Sequence, residues 1–292
     1  MGMAVPWHYR EPRESIQGLL MLWNFKSWHR RRILTSEPIP DDLWQTAIAR
    51  LGFLHGLSPD ELVRLRECVA LFLHAKQING ARGLVVTYEM RLAIAAQACI
   101  LILNLDLDYY AGWVEIIVYP GEFLRRYEYI DDDGVVHDLA EPASGESWLG
   151  GPVILSWEDA AAAESDTGYN VVIHEFAHKL DMLNGEANGF PPLHPGMSQR
   201  AWSDAFSAAY AEFRLDMRAD EAIALDSHLV HDIESCVGPC LDPYAAEDPA
   251  EFFAVISEAF FEMPLMVKQR FPAVYEQLAL FYRQDPARRW GG

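Results

Sequence analysis

Asn170 to Gly185 read NVVIHEFAHKLDMLNG, two histidines and a glutamate inside a short apolar run. Helical spacing puts His174 and His178, four residues apart, on one face, so both imidazoles can address one ion. Glu175 is rotated from His174 by about a hundred degrees. It stands beside such an ion rather than on it, where it can take a proton from a water held there. Zinc lowers the pKa of that water to about 7, and Glu175 can carry the proton on to a leaving amine. The plainer alternative is a buried helix whose histidines are ordinary core residues. Context favours the metal. Val171, Val172, Ala177 and Leu180 can bury much of the helix, and a strand able to present a backbone edge lies upstream. Asp181, three residues after His178, is close enough to orient an imidazole, and Gly185 can end the helix.

A catalytic zinc takes a third protein ligand and keeps one open position. The H-E-x-x-H-x-x-G-x-x-H arrangement is excluded, because Asp181 and Asn184 stand where it needs glycine and histidine. The third ligand is therefore distant. DPAEFFAVISEAFF (Asp248–Phe261) offers Glu251 and Glu258, two turns apart on one side of a helix, while Phe252, Ile256, Ala259 and Phe260 face the core. Glu251 has a competing role, since Asp248, Pro249 and Glu251 have the spacing of a capping box with proline at its first helical position. On these residues alone the ligand is Glu251 or Glu258, with Glu247 behind them.

Elsewhere the chain punctuates itself. Leu43, Ala47, Leu51 and Leu54, then Leu62, Leu65, Val69 and Phe72, recur at helical spacing, the second run opening on the cap-like SPDE of Ser58–Glu61. GLVVTYE (Gly83–Glu89), WVEIIVYP (Trp113–Pro120) and GPVILSW (Gly151–Trp157) read as strands. YEYIDDDGVVHDL (Tyr127–Leu139) reads as a hairpin about Asp133-Gly134, and SWEDAAAAES begins a helix. After Gly185 come a Gly/Pro-rich loop, a helix over about 199–217, an irregular acidic region to Asp248, the helix carrying Glu251, and a last helix in PAVYEQLALFYRQDP (Pro272–Pro286). Strands and a hairpin before the motif helix imply an α+β fold. No linker is long or polar enough to separate domains, so residues 1–292 read as one domain with a mobile or helical arm at 1–35. The arm's HRRR cluster (His29–Arg32) reads as a solvated face.

The 292 residues carry a formal charge of −20 and are 51% hydrophobic. Such an acidic surface repels phosphate backbones and anionic lipid heads, so neither nucleic acid nor membrane is an expected partner. LAIAAQACILILNL (Leu92–Leu105) is too short to span a bilayer and reads as buried core. The N-terminus lacks a signal-peptide pattern, and four cysteines are too few for a disulfide scaffold, so a reducing cytoplasm is the expected location. His228, His231, Cys236 and Cys240 make H-x-x-H-x4-C-x3-C. That spacing matches no standard zinc site, and a surface loop with free thiols is preferred over a second zinc or a disulfide.

Together AAQACILILNL, VYPGEF, GPVILSW, IHEFAHKLDMLNG, DPYAAEDPAEFFAVISEAFF and FYRQDP make the chain resemble the Mlc titration factor family of zinc peptidases, over roughly Ile33 to Pro286. That family is in turn similar to the catalytic domain of anthrax lethal factor. The resemblance implies a zincin-like, gluzincin-type α+β fold, with a small β-sheet before the H-E-x-x-H helix and a mostly helical remainder. It implies one catalytic zinc on His174, His178 and Glu251, with Glu175 as general base. Tyr244, seven residues before Glu251, is then the donor to the oxyanion formed when water attacks a peptide carbonyl, and Glu258 either supports a metal ligand from behind or pairs on the helix surface. A cytoplasmic peptidase is implied, amino- or endopeptidase, with peptide or protein substrates and binding to a glucose-responsive transcriptional repressor. The alternative from another class is a regulator that sequesters its partner on a peptidase scaffold. One departure is Ala219–Gly238, longer than the family pattern.

Overall fold

The computed structural model describes residues 27–130, 136–162, 168–226 and 241–290. The chain divides into two compact units, Met1–Pro38 and Ile39–Gly292. In the first, residues 27–36 form helix α1, whose His29–Arg32 are exposed; the rest of the expected arm lies outside the described residues.

The second unit begins with α2 (Asp41–Ile48) and α3 (Pro59–Ala75). Ser58 and Glu61 close a full capping box on α3, as SPDE predicts. Strand β1 (Gln77–Gly80) leads to α4 (Tyr88–Leu101), and β2 (Glu115–Tyr119), β3 (Phe123–Ile130), β4 (Val136–Ala143), β5 (Gly145–Ser147) and β6 (Val153–Ser156) follow. The helical remainder comprises α5 (Trp157–Ala161), α6 (Val171–Asp181), α7 (Gln199–Asp226), α8 (Pro249–Glu262), α9 (Pro264–Arg270), α10 (Pro272–Tyr282) and α11 (Pro286–Trp290).

The main sheet has the order β1-β2-β6-β5, with β1, β2 and β6 parallel and β5 antiparallel at the edge. Val153, Ile154, Leu155 and Ser156 are all buried, which suits an interior strand covered on both faces. β3 and β4 form a separate antiparallel hairpin, in register from Phe123↔Ala143 to Ile130↔Val136. Its Asp133-Gly134 turn lies outside the described residues. The fold is thus α+β, the small sheets preceding the motif helix.

Two readings of local sequence are corrected. GLVVTYE is not a strand: Val85 is 81% exposed, and the Thr87 hydroxyl accepts the Met90 amide to cap α4. Capping chemistry overrides β-branched propensity there. The irregular region expected after Met217 is helical as far as Asp226, and the segment holding His228, His231, Cys236 and Cys240 lies outside the described residues. Leu92–Leu105 is core, as read: α4 buries ten of its fourteen residues.

Two packing arrangements fix α6. Phe176 fills an aromatic cage, its ring centroid 5.7 Å from Phe72, 5.1 Å from Tyr110 and 5.7 Å from Trp113. Across from that cage lies α8, buried almost all round. Asn170 ties the two helices together at the N-terminus of α6. Its Oδ1 accepts the Ile173 amide at 2.9 Å as an N-cap, its Nδ2 donates to Glu262 Oε1 at 2.9 Å, and its backbone N–H donates to Glu258 Oε2. Glu251, Glu258 and Glu262 form one stripe along α8, so packing α8 on α6 delivers three carboxylates to the motif helix at once.

Candidate metal centre

His174 and His178 project from α6 with Nε2 atoms 3.1 Å apart. Glu251, in the first turn of α8, completes a triangle: its Oε2 lies 3.1 Å from His174 Nε2 and 3.3 Å from His178 Nε2. Donors about 2.0–2.1 Å from one tetrahedral ion stand roughly 3.3 Å from each other, so the triangle has the dimensions of three corners of such a site. Among the described residues it is the cluster of histidine and carboxylate groups able to hold a metal ion. The electrostatics fit as well. Burial alone would lower the His174 pKa, yet Glu251 and Glu258 outweigh it and raise the pKa well above the usual histidine value. Burial likewise pushes Glu251 up, and the two imidazoles overcome it and hold that carboxylate well below its usual range. The site is built to receive positive charge.

Glu251 therefore does not close a capping box. Asp248 Oδ1 accepts the Ala250 and Glu251 amides at 2.7 and 3.0 Å, while the Glu251 side chain turns to the histidines. Glu258 sits behind the triangle, its Oε1 2.8 Å from His174 Nδ1. A carboxylate only accepts, so Nδ1 donates to it, which leaves Nε2 as the nitrogen that faces the centre and would bind an ion there. Glu247 is exposed and does not line the site. Asp181 departs from its expected role: Oδ2 accepts the Asn188 and Gly189 amides, both at 2.7 Å, and so shapes the loop after α6. Its Oδ1 and His178 Nδ1 are each buried without a hydrogen-bond partner.

The triangle opens onto a cavity of about 450 Å³. Glu175 lines it, 4% exposed, with Oε2 buried and unpartnered, and burial raises its pKa. Tyr244 lines it too, its ring 6.1 Å from that of His174, held in a single 3-10 turn that Asp242 caps. Burial and then the Glu251 charge keep its phenol strongly protonated. Glu141, Glu146, Glu175, Glu186, Asp242, Asp248, Glu251 and Glu258 stand along this wall against one described guanidinium, Arg125, which lies 3.8 Å from Glu141.

Four contributing residues do not stand out in the sequence. Arg125 comes from the hairpin, and its neighbours depend on hairpin register. Gly145 and Ser147 belong to β5, a three-residue strand too short and polar to show alternation. Lys179 is buried and donates to the Trp148 and Gly151 carbonyls at 2.5 and 2.8 Å, tying the β5–β6 turn to α6. A lysine immediately after the second histidine was the available signal for it.

An H-E-x-x-H helix joined by a glutamate from a later helix, on an α+β fold, is the arrangement of a gluzincin-type metallopeptidase. Comparison with known proteins agrees: a model of the family described as "Glucose-regulated metallo-peptidase M90" matches residues 25–283. Proteins named Mlc titration factor A are similar over most of the chain. The one from Klebsiella pneumoniae (strain 342) is 36% identical across 84% of this chain and 87% of its own length. That from Serratia proteamaculans (strain 568) is 37% identical across 87% and 92%, and that from Salmonella typhi 34% identical across 90% and 92%. The chain belongs to this M90 family of metallo-peptidases, the family of the Mlc titration factors.

Proposed function

We propose that the protein is a zinc-dependent peptidase in which His174, His178 and Glu251 hold the ion, Glu175 is the general base and Tyr244 the oxyanion donor. The observation that carries this reading is the 3.1–3.3 Å triangle of donor atoms with Glu175 beside it. Two imidazoles and one carboxylate are a donor set that suits zinc. When bound, zinc supplies Lewis acidity that makes a coordinated water acidic near neutral pH. The residues do the rest. Glu258 accepts from His174 Nδ1 and keeps Nε2 aimed at the centre. Glu175 takes the proton of the attacking water on its carboxylate and returns it to the leaving amine. The Tyr244 hydroxyl donates to the carbonyl oxygen as it gains negative charge. β5, at the edge of its sheet and along the cavity, offers backbone groups with which an extended peptide can pair. The carboxylate-rich wall favours a cationic group on the substrate, such as a free N-terminal ammonium, and so supports aminopeptidase action.

This reading treats the chain as a single zincin-like domain with an N-terminal arm at 1–35. No helix among the described residues is long and apolar enough to cross a membrane. A cytoplasmic location is part of the proposal, supported by the free thiols of Cys68 and Cys99. The test is peptide hydrolysis with and without chelator, and in Glu175→Gln. The variant is expected to keep about one zinc per chain and to lose turnover by about 10²–10⁴-fold. Undiminished turnover would end the mechanism.

A second reading is favoured by the name "titration factor" that the relatives carry. In it the protein binds a glucose-responsive transcriptional repressor and relieves its action by sequestration, with catalysis secondary. Glu175→Gln separates the two. Full relief of repression by the inactive variant supports sequestration, and loss of relief supports proteolysis.

A further inference from the structure

We propose that Gly145 is a positioning residue for Glu175: the bare backbone of β5 is the wall against which the Glu175 carboxylate is seated. The inference rests on the reading of Glu175 as general base. A Cβ built on Gly145 would stand 2.3 Å from Glu175 Oε1, 2.7 Å from Cγ and 2.8 Å from Cδ, far inside van der Waals contact. No other group comes as near to it. Nor is the glycine required by its backbone, since Gly145 is absent from the residues with positive φ. It is there for room.

The strand cannot simply yield. Gly145 and Ser147 are two apart and share a face, and the Ser147 hydroxyl donates to the Glu175 carbonyl at 2.8 Å. β5 thus grips residue 175 at both its backbone and its side chain. Its far side is registered on β6, with Gly145 opposite Leu155 and Ser147 opposite Val153. Lys179 holds the turn that follows by two carbonyls. The Glu175 carboxyl faces the strand through Oε1, Cγ and Cδ, and its other oxygen, Oε2, is buried without a hydrogen-bond partner, so contact with β5 sets where the group sits. A methyl on residue 145 must therefore move the carboxylate, and a displacement of about 1 Å at a catalytic group costs about 100-fold in rate.

The experiment compares the wild type, Gly145→Ala, Glu175→Ala and the double variant, each loaded with zinc, by kcat and KM on a peptide substrate, by bound zinc and by thermal unfolding. Gly145→Ala is expected to lower kcat about 100-fold with little change in KM and to keep its zinc. Its lost thermal stability should return in the double variant, where alanine at 175 removes the Cγ and carboxyl atoms that the methyl meets. The crystal structure of Gly145→Ala should show the carboxylate displaced and the His174–His178–Glu251 triangle intact. An active wild type with an equally active Gly145→Ala overturns the proposal, as does a structure in which β5 has moved and the carboxylate has not. Should Gly145→Ala fail to fold, the double variant is expected to fold, and failure of both overturns the proposal too. An inactive wild type instead defeats the peptidase reading, while the stability rescue still tests the contact.

Discussion

Glu258 Oε1 lies 2.8 Å from His174 Nδ1, and its second oxygen accepts the Asn170 backbone N–H, so one buried carboxylate orients an imidazole of the candidate metal centre and the start of its helix. Both of its partners are donors. An amide in that place must turn its NH₂ toward one of them, setting donor against donor. Glu258→Gln is therefore expected to weaken metal affinity by about 10–100-fold and to destabilise the fold by about 1–3 kcal/mol. Competition with a chromophoric chelator and urea unfolding measure the two effects. Affinity equal to the wild type would show that the imidazole needs no such partner.

In the proposed mechanism Tyr244 acts only where charge develops. Tyr244→Phe removes the phenolic hydroxyl and leaves the ring in its capped turn. We expect kcat to fall by about 10²–10³, with zinc content and melting temperature unchanged. A variant that loses KM alone would make Tyr244 a binding residue instead.

Lys76 gives a prediction remote from the site. Its ammonium donates to the carbonyls of Tyr110 and Trp113 and sits 3.5 Å from the centre of the Trp113 ring. Burial first, and the charge of Lys179 second, push its pKa down to about 8. Unfolded, the same lysine titrates near 10.4. Below about 8 both states hold the proton and the burial cost stands in full. Between about 8 and 10.4 the unfolded chain binds more protons than the native one, so stability from this group rises with pH. Urea midpoints of wild type and Lys76→Met, followed from pH 7 to 10, should show the wild type gaining on the variant across that window. A constant difference would mean that Lys76 titrates normally in the fold.

Much of this architecture is legible in local pattern. The H-E-x-x-H helix, the hairpin, the SPDE cap and α8 each depend on residues within a turn or two of one another. The choice between Glu251 and Glu258 was not local. Both lie on one stripe, and only the way α8 packs on α6 decides which end meets the imidazoles. The first turn of α8 does, so Glu251 faces both Nε2 atoms and Glu258 reaches Nδ1 from behind. Family resemblance had pointed to the same glutamate. β1 and β5 escaped notice because QING and GES are short, polar and set by their partners rather than by alternation. Asp181 was misjudged for a related reason: loop amides seven and eight residues downstream compete for its oxygen, and sequence spacing from His178 cannot register that competition.

A sheet margin left open to receive a peptide is equally open to another copy of the same molecule, the contact from which fibrous assemblies begin. β5 limits that hazard by its brevity. Three residues, with Glu146 at the middle position, offer too little ladder for a long-lived partnership between like chains and place two carboxylates face to face wherever one is attempted. Replacing that strand by a longer, neutral one would trade solubility for grip.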